Sequence, residues 1–147
     1  MESRIFHTRS EEETIALGRR LAGELPNSVV LLIGNLGAGK TTLAKGIVEG
    51  RNNTPANEVS SPTFTLVHQY GDAGNPAGET VYHIDLYRLD EVREVETLGL
   101  DELFASGHLV LLEWAERFPA LLPAQRTEIR LSTLPDESRE ISVTGLS

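Results

Sequence analysis

No cysteine occurs anywhere in the 147 residues of the chain. Disulfides, cysteine-held zinc, iron–sulfur clusters and thiol catalysis are therefore excluded. Lysine is nearly absent as well, present only as Lys40 and Lys45. With 13 Lys and Arg residues against 22 Asp and Glu, the formal net charge is −9. That balance argues against a broad basic face for nucleic acid and leaves room only for a local arginine patch. No apolar run approaches the roughly 18 residues that suggest a membrane span. The opening stretch "MESRIFHTRSEEET" has no apolar segment of the secretory kind, so no membrane association is expected and a cytoplasmic location is. There is no internal repeat, low-complexity tract or linker-like segment, and one domain over residues 1–147 is expected. A chain of this length buries roughly 70% of the surface its unfolded form exposes, enough for a substantial core.

What is present alternates between strand and helix. "RIFH" reads as a short strand, and Ser10 with Glu13 forms an S-x-x-E capping pattern ahead of a helix over 11–25. Pro26-Asn27 is expected to end that helix. "VVLLI" (29–33) is a continuous apolar run, as in a strand buried on both faces. A glycine-rich loop follows, then a helix over about 40–49 closed by "GRNNTP". "FTLVHQY" and "TVYHIDLY" flank a Gly/Pro/Asn segment and predict a hairpin with a long tip. "DEVREVETLG" and "DELFAS" read as short helices, "HLVLLEW" as a second apolar strand, and "TEIRLS" with "REISVT" as a closing hairpin. Early strand–helix alternation predicts an α/β sandwich with a mixed sheet.

The loop "GNLGAGKT" (34–41) matches G-x-x-x-x-G-K-[ST] in full, between a strand and a helix as that motif requires. Glycines let backbone N–H groups turn inward, and the helix N-terminus adds a partial positive charge. Lys40 is placed to reach β- and γ-phosphates, and the Thr41 hydroxyl to ligate Mg²⁺. The alternative is a glycine-rich turn that binds nothing. The motif and its context favour nucleotide binding and a P-loop NTPase-like three-layer sandwich, its sheet mixed and mainly parallel with antiparallel hairpins.

Such a site needs a carboxylate at the end of a nearby apolar strand. Glu113, after the run 109–112, and Asp85, in "VYHIDLY", both qualify. Either is otherwise a solvent-facing strand residue, and the two could also divide the work, one holding the metal and the other orienting water. Thr63 and Thr65 in "SSPTFTLV" are candidates for a γ-phosphate-sensing switch, or belong to an ordinary loop entering a strand. Trp114 is either core or part of a nucleotide or partner surface. Arg88 is either a surface ion-pair partner or a phosphate-facing cation. His83 reads as packing rather than chemistry, and His7, His68 and His108 show no metal-ligand spacing. The D-x-x-G and N-K-x-D signatures of small GTPases are missing. A small-molecule kinase and a nucleotide-gated interaction module remain as alternatives.

Taken in order, "T-x-S-x-E-E-T", "GNLGAGKTTLAKG", "SPTFTLV", "YHIDLYRL", "LGLDELF" and "LVLLEWAE" resemble the bacterial TsaE (YjeE) family, and together they span most of the chain. The combination of "SPTFTLV", "HIDLYRL" and "LEW" is far more discriminating than the glycine loop alone. Asn35 departs from the Asp expected in that family's loop. The resemblance implies an ATPase needed for making threonylcarbamoyladenosine in tRNA, with ATP as substrate and Mg²⁺ as cofactor. It implies phosphate contacts from Leu36, Gly37, Ala38, Gly39, Lys40, Thr41 and Thr42, and Mg²⁺ at Thr41 and Glu113. Asp85 then serves as the Walker-B-like or water-orienting acid. It also implies that Trp114 lies beside the nucleotide, that Thr63 and Thr65 fall in a switch-like segment, and that Thr8 or Ser10 approaches the adenine or ribose. The partners implied are two proteins, the threonylcarbamoyl transferase subunit and a relative that dimerises with it. Direct tRNA binding is expected to be weak or absent.

Overall fold

The computed structural model describes residues 3–35, 37–52, 67–71 and 80–145. Its elements in chain order are β1 (Ser3–Thr8), α1 (Glu11–Ala22), β2 (Val29–Ile33), α2 (Lys40–Asn52), β3 (Val67–Tyr70), β4 (Val81–Asp85), α3 (Val92–Glu96), α4 (Leu100–Phe104), β5 (Leu109–Glu113), β6 (Thr127–Thr133) and β7 (Arg139–Thr144). Two short 3₁₀ turns, Ala115–Arg117 and Pro119–Leu121, follow β5.

The strands form one sheet in the order β1-β7-β6-β2-β5-β4-β3. Its centre is parallel: β6 with β2, β2 with β5, and β5 with β4. Its flanks are antiparallel: β1 with β7, β7 with β6, and β4 with β3. The two expected hairpins are β6–β7 and β3–β4, and the tip of the β3–β4 hairpin lies largely outside the described residues.

The run "VVLLI" becomes the central strand because it can bury both faces. Val30 and Leu32 join α1 and α2 residues in one core, while Val29 and Leu31 join Val95, Leu100 and Phe118 in the other. Strand side chains alternate faces, so a central strand needs apolar residues at every position. Helices thus cover both faces of the sheet, giving three layers.

The ends of the two long helices differ from the sequence reading. The first helix stops at Ala22, capped by Gly23, whose N–H donates to the Leu21 carbonyl. The Leu25 amide also folds back on the Leu21 carbonyl at 3.0 Å, so the chain tightens before Pro26 is reached. The second helix continues to Asn52, beyond the expected end near Glu49. The Arg51 guanidinium donates to the carbonyls of Ala22 and Leu25, anchoring the end of α2 on the end of α1. The Ser10 cap is present, its Oγ accepting the Glu13 amide at 3.1 Å, but the Glu13 carboxylate returns to the Arg9 amide at 2.9 Å.

The two helices approach closely through glycine. A Cβ on Gly18 would meet the Leu43 carbonyl oxygen at 2.5 Å, and one on Gly46 would run into the Ile15 carbonyl. This contact packs α2 against α1, and α2 begins where the glycine loop leaves the C-terminal end of β2.

Candidate functional site

The glycine loop leaves β2 at Ile33 and enters α2 at Lys40. Gly34 is required by close approach, since a Cβ there would meet the Leu131 carbonyl oxygen at 2.7 Å. Gly37 and Gly39 turn the chain with φ of 82° and 104°, in the region that glycine adopts without strain. The first turn of a helix leaves its N–H groups without intrahelical acceptors, and α2 carries no acid there.

A cleft of about 440 Å³ opens above this turn. Its floor is formed by Gly37, Gly39, Lys40, Thr41 and Thr42, and one wall by Asp85, Glu113 and Trp114. Arg9, Ser10, Glu11 and Thr14, with Glu137 and Arg139 from the last hairpin, complete the lining. The sequence reading did not single out Arg9, Tyr87, Glu137 or Arg139, and no motif marks them.

Lys40 is 5% exposed. Its Nζ donates to the Gly34 carbonyl at 2.7 Å and lies 3.3 Å from the centroid of the Trp114 ring. Burial lowers its pKa from 10.5; Glu113, Glu116 and Asp85 oppose that shift. Trp114 follows β5 in the left-handed region, with φ of 65°, unusual for a bulky residue. Its ring leans on Tyr87 at a centroid distance of 5.0 Å. Between core and site, Trp114 is half-buried and lines the cleft.

The strand register aligns Asp85 directly with Glu113. Both are nearly fully buried, at 3% and 2% exposure. The Thr41 hydroxyl lies 3.4 Å from each Glu113 carboxylate oxygen. Asp85 Oδ1 accepts the Tyr87 amide at 2.8 Å, which shapes the turn leaving β4. Thr41, Glu113 and Asp85 are an all-oxygen donor set at a helix N-terminus. That fits Mg²⁺, which uses one or two carboxylates and takes further ligands from phosphate and water. Among the described residues, no group of three or more His, Asp or Glu side chains could hold a metal on its own.

The remaining candidates fall in different places. Ser10 lines the cleft, with its Oγ engaged in capping α1. Thr8 is buried, its hydroxyl bonded to that of Thr14 at 2.7 Å, and it is Thr14 that borders the cleft. Ala38 is packed in the core beneath the loop. Arg88 is exposed and outside the cleft lining. Leu36, Thr63 and Thr65 lie outside the described residues. His83 is packed in the strand as expected, but it also bonds Glu113: its Nε2 is 2.5 Å from Glu113 Oε2. The readable signal was the spacing H-x-D, which puts His83 and Asp85 on one face of β4.

Fold and site together define an α/β protein with a mixed sheet whose glycine loop and two strand-end carboxylates share one cleft. The family model for "Threonylcarbamoyl adenosine biosynthesis protein TsaE" matches residues 8–141. The tRNA threonylcarbamoyladenosine biosynthesis protein TsaE of Bacillus subtilis is 40% identical over 142 residues, covering 96% of this chain and 85% of that protein. The protein of the same name from Rickettsia bellii is 40% identical over 140 residues, covering 92% and 91%. A crystal structure of Bacillus subtilis YdiB superposes with a TM-score of 0.76 at 33% identity, covering 99% of this chain and 87% of that one. The chain belongs to the TsaE family. No helix among the described residues is long and apolar enough to cross a membrane.

Proposed function

We propose that the chain is a Mg²⁺-dependent ATPase of the P-loop type, acting as an accessory subunit in tRNA threonylcarbamoyladenosine biosynthesis. The observation that carries this reading is the convergence on one cleft of Lys40, the Thr41 hydroxyl and the Glu113 carboxylate, 3.4 Å from that hydroxyl. The first turn of α2 and Lys40 hold the phosphates, leaving the Gly34 carbonyl and the Trp114 ring as the ammonium's fallback partners. Thr41 and Glu113 would hold Mg²⁺, which when bound neutralises charge on phosphate oxygens. Asp85, beside Glu113, is the acid that orients the attacking water. Trp114 borders the nucleotide. Membership of a tRNA threonylcarbamoyladenosine biosynthesis family supports a place in that pathway; in this reading hydrolysis resets a partner complex made of the threonylcarbamoyl transferase subunit and its dimerising relative. A surface of net charge −9 disfavours tRNA as a direct ligand.

Phosphate release measured alone, with the partner complex, with tRNA and with small acceptors tests the reading. Slow turnover alone, raised by the partner complex and unaffected by nucleosides or sugars, is expected. Cells depleted of the protein should accumulate tRNA lacking the threonylcarbamoyl group. Label passing from ATP to a small metabolite, with tRNA modification intact in depleted cells, would instead establish a small-molecule kinase.

A further inference from the structure

His83 is fully buried, and among the described residues its ring makes one polar contact, Nε2 to Glu113 Oε2 at 2.5 Å. Nδ1 is buried and has no hydrogen-bond partner among the described residues. A bare Nε2 at that distance would set its lone pair against a carboxylate oxygen, so Nε2 carries the proton and donates it. The geometry is laid down by the sheet. His83 and Asp85 share a face of β4, Glu113 is on the same face of β5, and the parallel register brings the three under the glycine loop. A buried imidazole with one orphan nitrogen is costly to keep for packing alone, since a leucine would fill that space without an unpaired polar atom.

We propose that His83 is a positioning residue for Glu113: its Nε2–H fixes the carboxylate rotamer so that both oxygens stay directed at the Thr41 hydroxyl and at the cation held there. The inference rests on the metal reading above and assigns the group that orients the ligand. Partners of this kind, one step out from a metal, characteristically change metal affinity about 10–100-fold when removed.

Two substitutions separate positioning from packing. In His83→Gln the side-chain amide nitrogen reaches the place of Nε2; in His83→Asn it reaches only that of Nδ1. Binding of a non-hydrolysable ATP analogue is titrated calorimetrically in EDTA and across a Mg²⁺ series. The expected result is binding in EDTA within about twofold of wild type for both variants. The Mg²⁺ concentration for half-maximal effect should stay near wild type in His83→Gln and rise about tenfold or more in His83→Asn. A His83→Asn protein with the wild-type Mg²⁺ response overturns the proposal, as do Gln and Asn variants that lose it alike. A wild-type protein that shows no Mg²⁺ response overturns the metal reading itself, a different outcome from wild-type response retained in the variant. Should neither variant fold, long-range ¹H–¹⁵N spectra of the unliganded wild type decide: a proton on Nε2 supports the role, and an unprotonated Nε2 removes it.

Discussion

The Lys40 ammonium sits over the face of the Trp114 ring, 3.3 Å from its centroid, while donating to the Gly34 carbonyl at 2.7 Å. The two residues come from different elements, the start of α2 and the left-handed turn after β5. Their contact closes the floor of the cleft against its wall. Under the proposed ATPase reading, this is the cation that would meet an incoming polyphosphate, exchanging these two contacts for phosphate oxygens.

Lys40→Ala should therefore remove phosphate binding and leave the fold standing. Among the described residues the side chain makes one hydrogen bond and one cation–π contact, together offset by the burial of its charge. The Tm should move by no more than about 4 °C, while phosphate release falls to background. A circular dichroism melt beside the turnover assay checks both halves, and normal turnover in the variant would remove the phosphate role of the loop.

The two strand-end acids should give different phenotypes. Glu113→Ala deletes the carboxylate 3.4 Å from the Thr41 hydroxyl and should weaken nucleotide binding in Mg²⁺ while sparing binding in EDTA. Asp85→Asn keeps an oxygen to accept the Tyr87 amide and should spare binding more than turnover. Binding with and without Mg²⁺, set beside hydrolysis rates, separates them. Exchanged phenotypes would make Asp85 the metal ligand.

Stability should depend on pH through Lys40. Its pKa in the fold lies below 10.5 because burial disfavours the ammonium. Between the folded value and 10.5 the unfolded chain binds more protons, so the unliganded protein gains stability as pH rises through that window. This contribution is complete above 10.5 and lost as pH falls through the folded value. Urea unfolding at stepped alkaline pH should show a shallower rise in Lys40→Met than in wild type. Equal slopes would mean that Lys40 is not perturbed in the fold.

Gly46→Ala should cost stability at a position outside the cleft lining. The added methyl runs into the Ile15 carbonyl, a backbone atom that cannot rotate away. Overpacking of this kind costs about 1–3 kcal/mol, and the expected fall in Tm is about 4–12 °C. Thermal melts of Gly46→Ala and Gly23→Ala make the comparison, because a Cβ on Gly23 meets nothing closer than 3.8 Å. A Gly46→Ala protein as stable as wild type would show that the helices do not pack at this distance.

Much of this was legible along the chain. The run "VVLLI" had to be a doubly buried strand, because no residue in it offers a solvent face. The glycine loop carries its context within one strand, one turn and one helix, so Lys40 and Thr41 could be named from spacing. Glu113 could be placed at a strand end by the apolar run before it. These are local signals, and local periodicity decides them.

What only tertiary structure decided is which distant groups meet. Thr41 and Glu113 are 72 residues apart, and His83 and Glu113 are 30 apart. Periodicity along a strand says which faces its residues occupy and nothing about which strand lies beside it. The order β2-β5-β4 and its parallel register put Asp85 level with Glu113 and brought His83 beneath it. Arg9 and Arg139 line the cleft from the β1–β7 end of the sheet, where β7 pairs with β6 and β1 with β7, an order their own sequences do not announce. The chemistry of each group belongs to the sequence. The distances that make those groups one site belong to the sheet, which pairs strands by burial and hydrogen bonding across the whole chain.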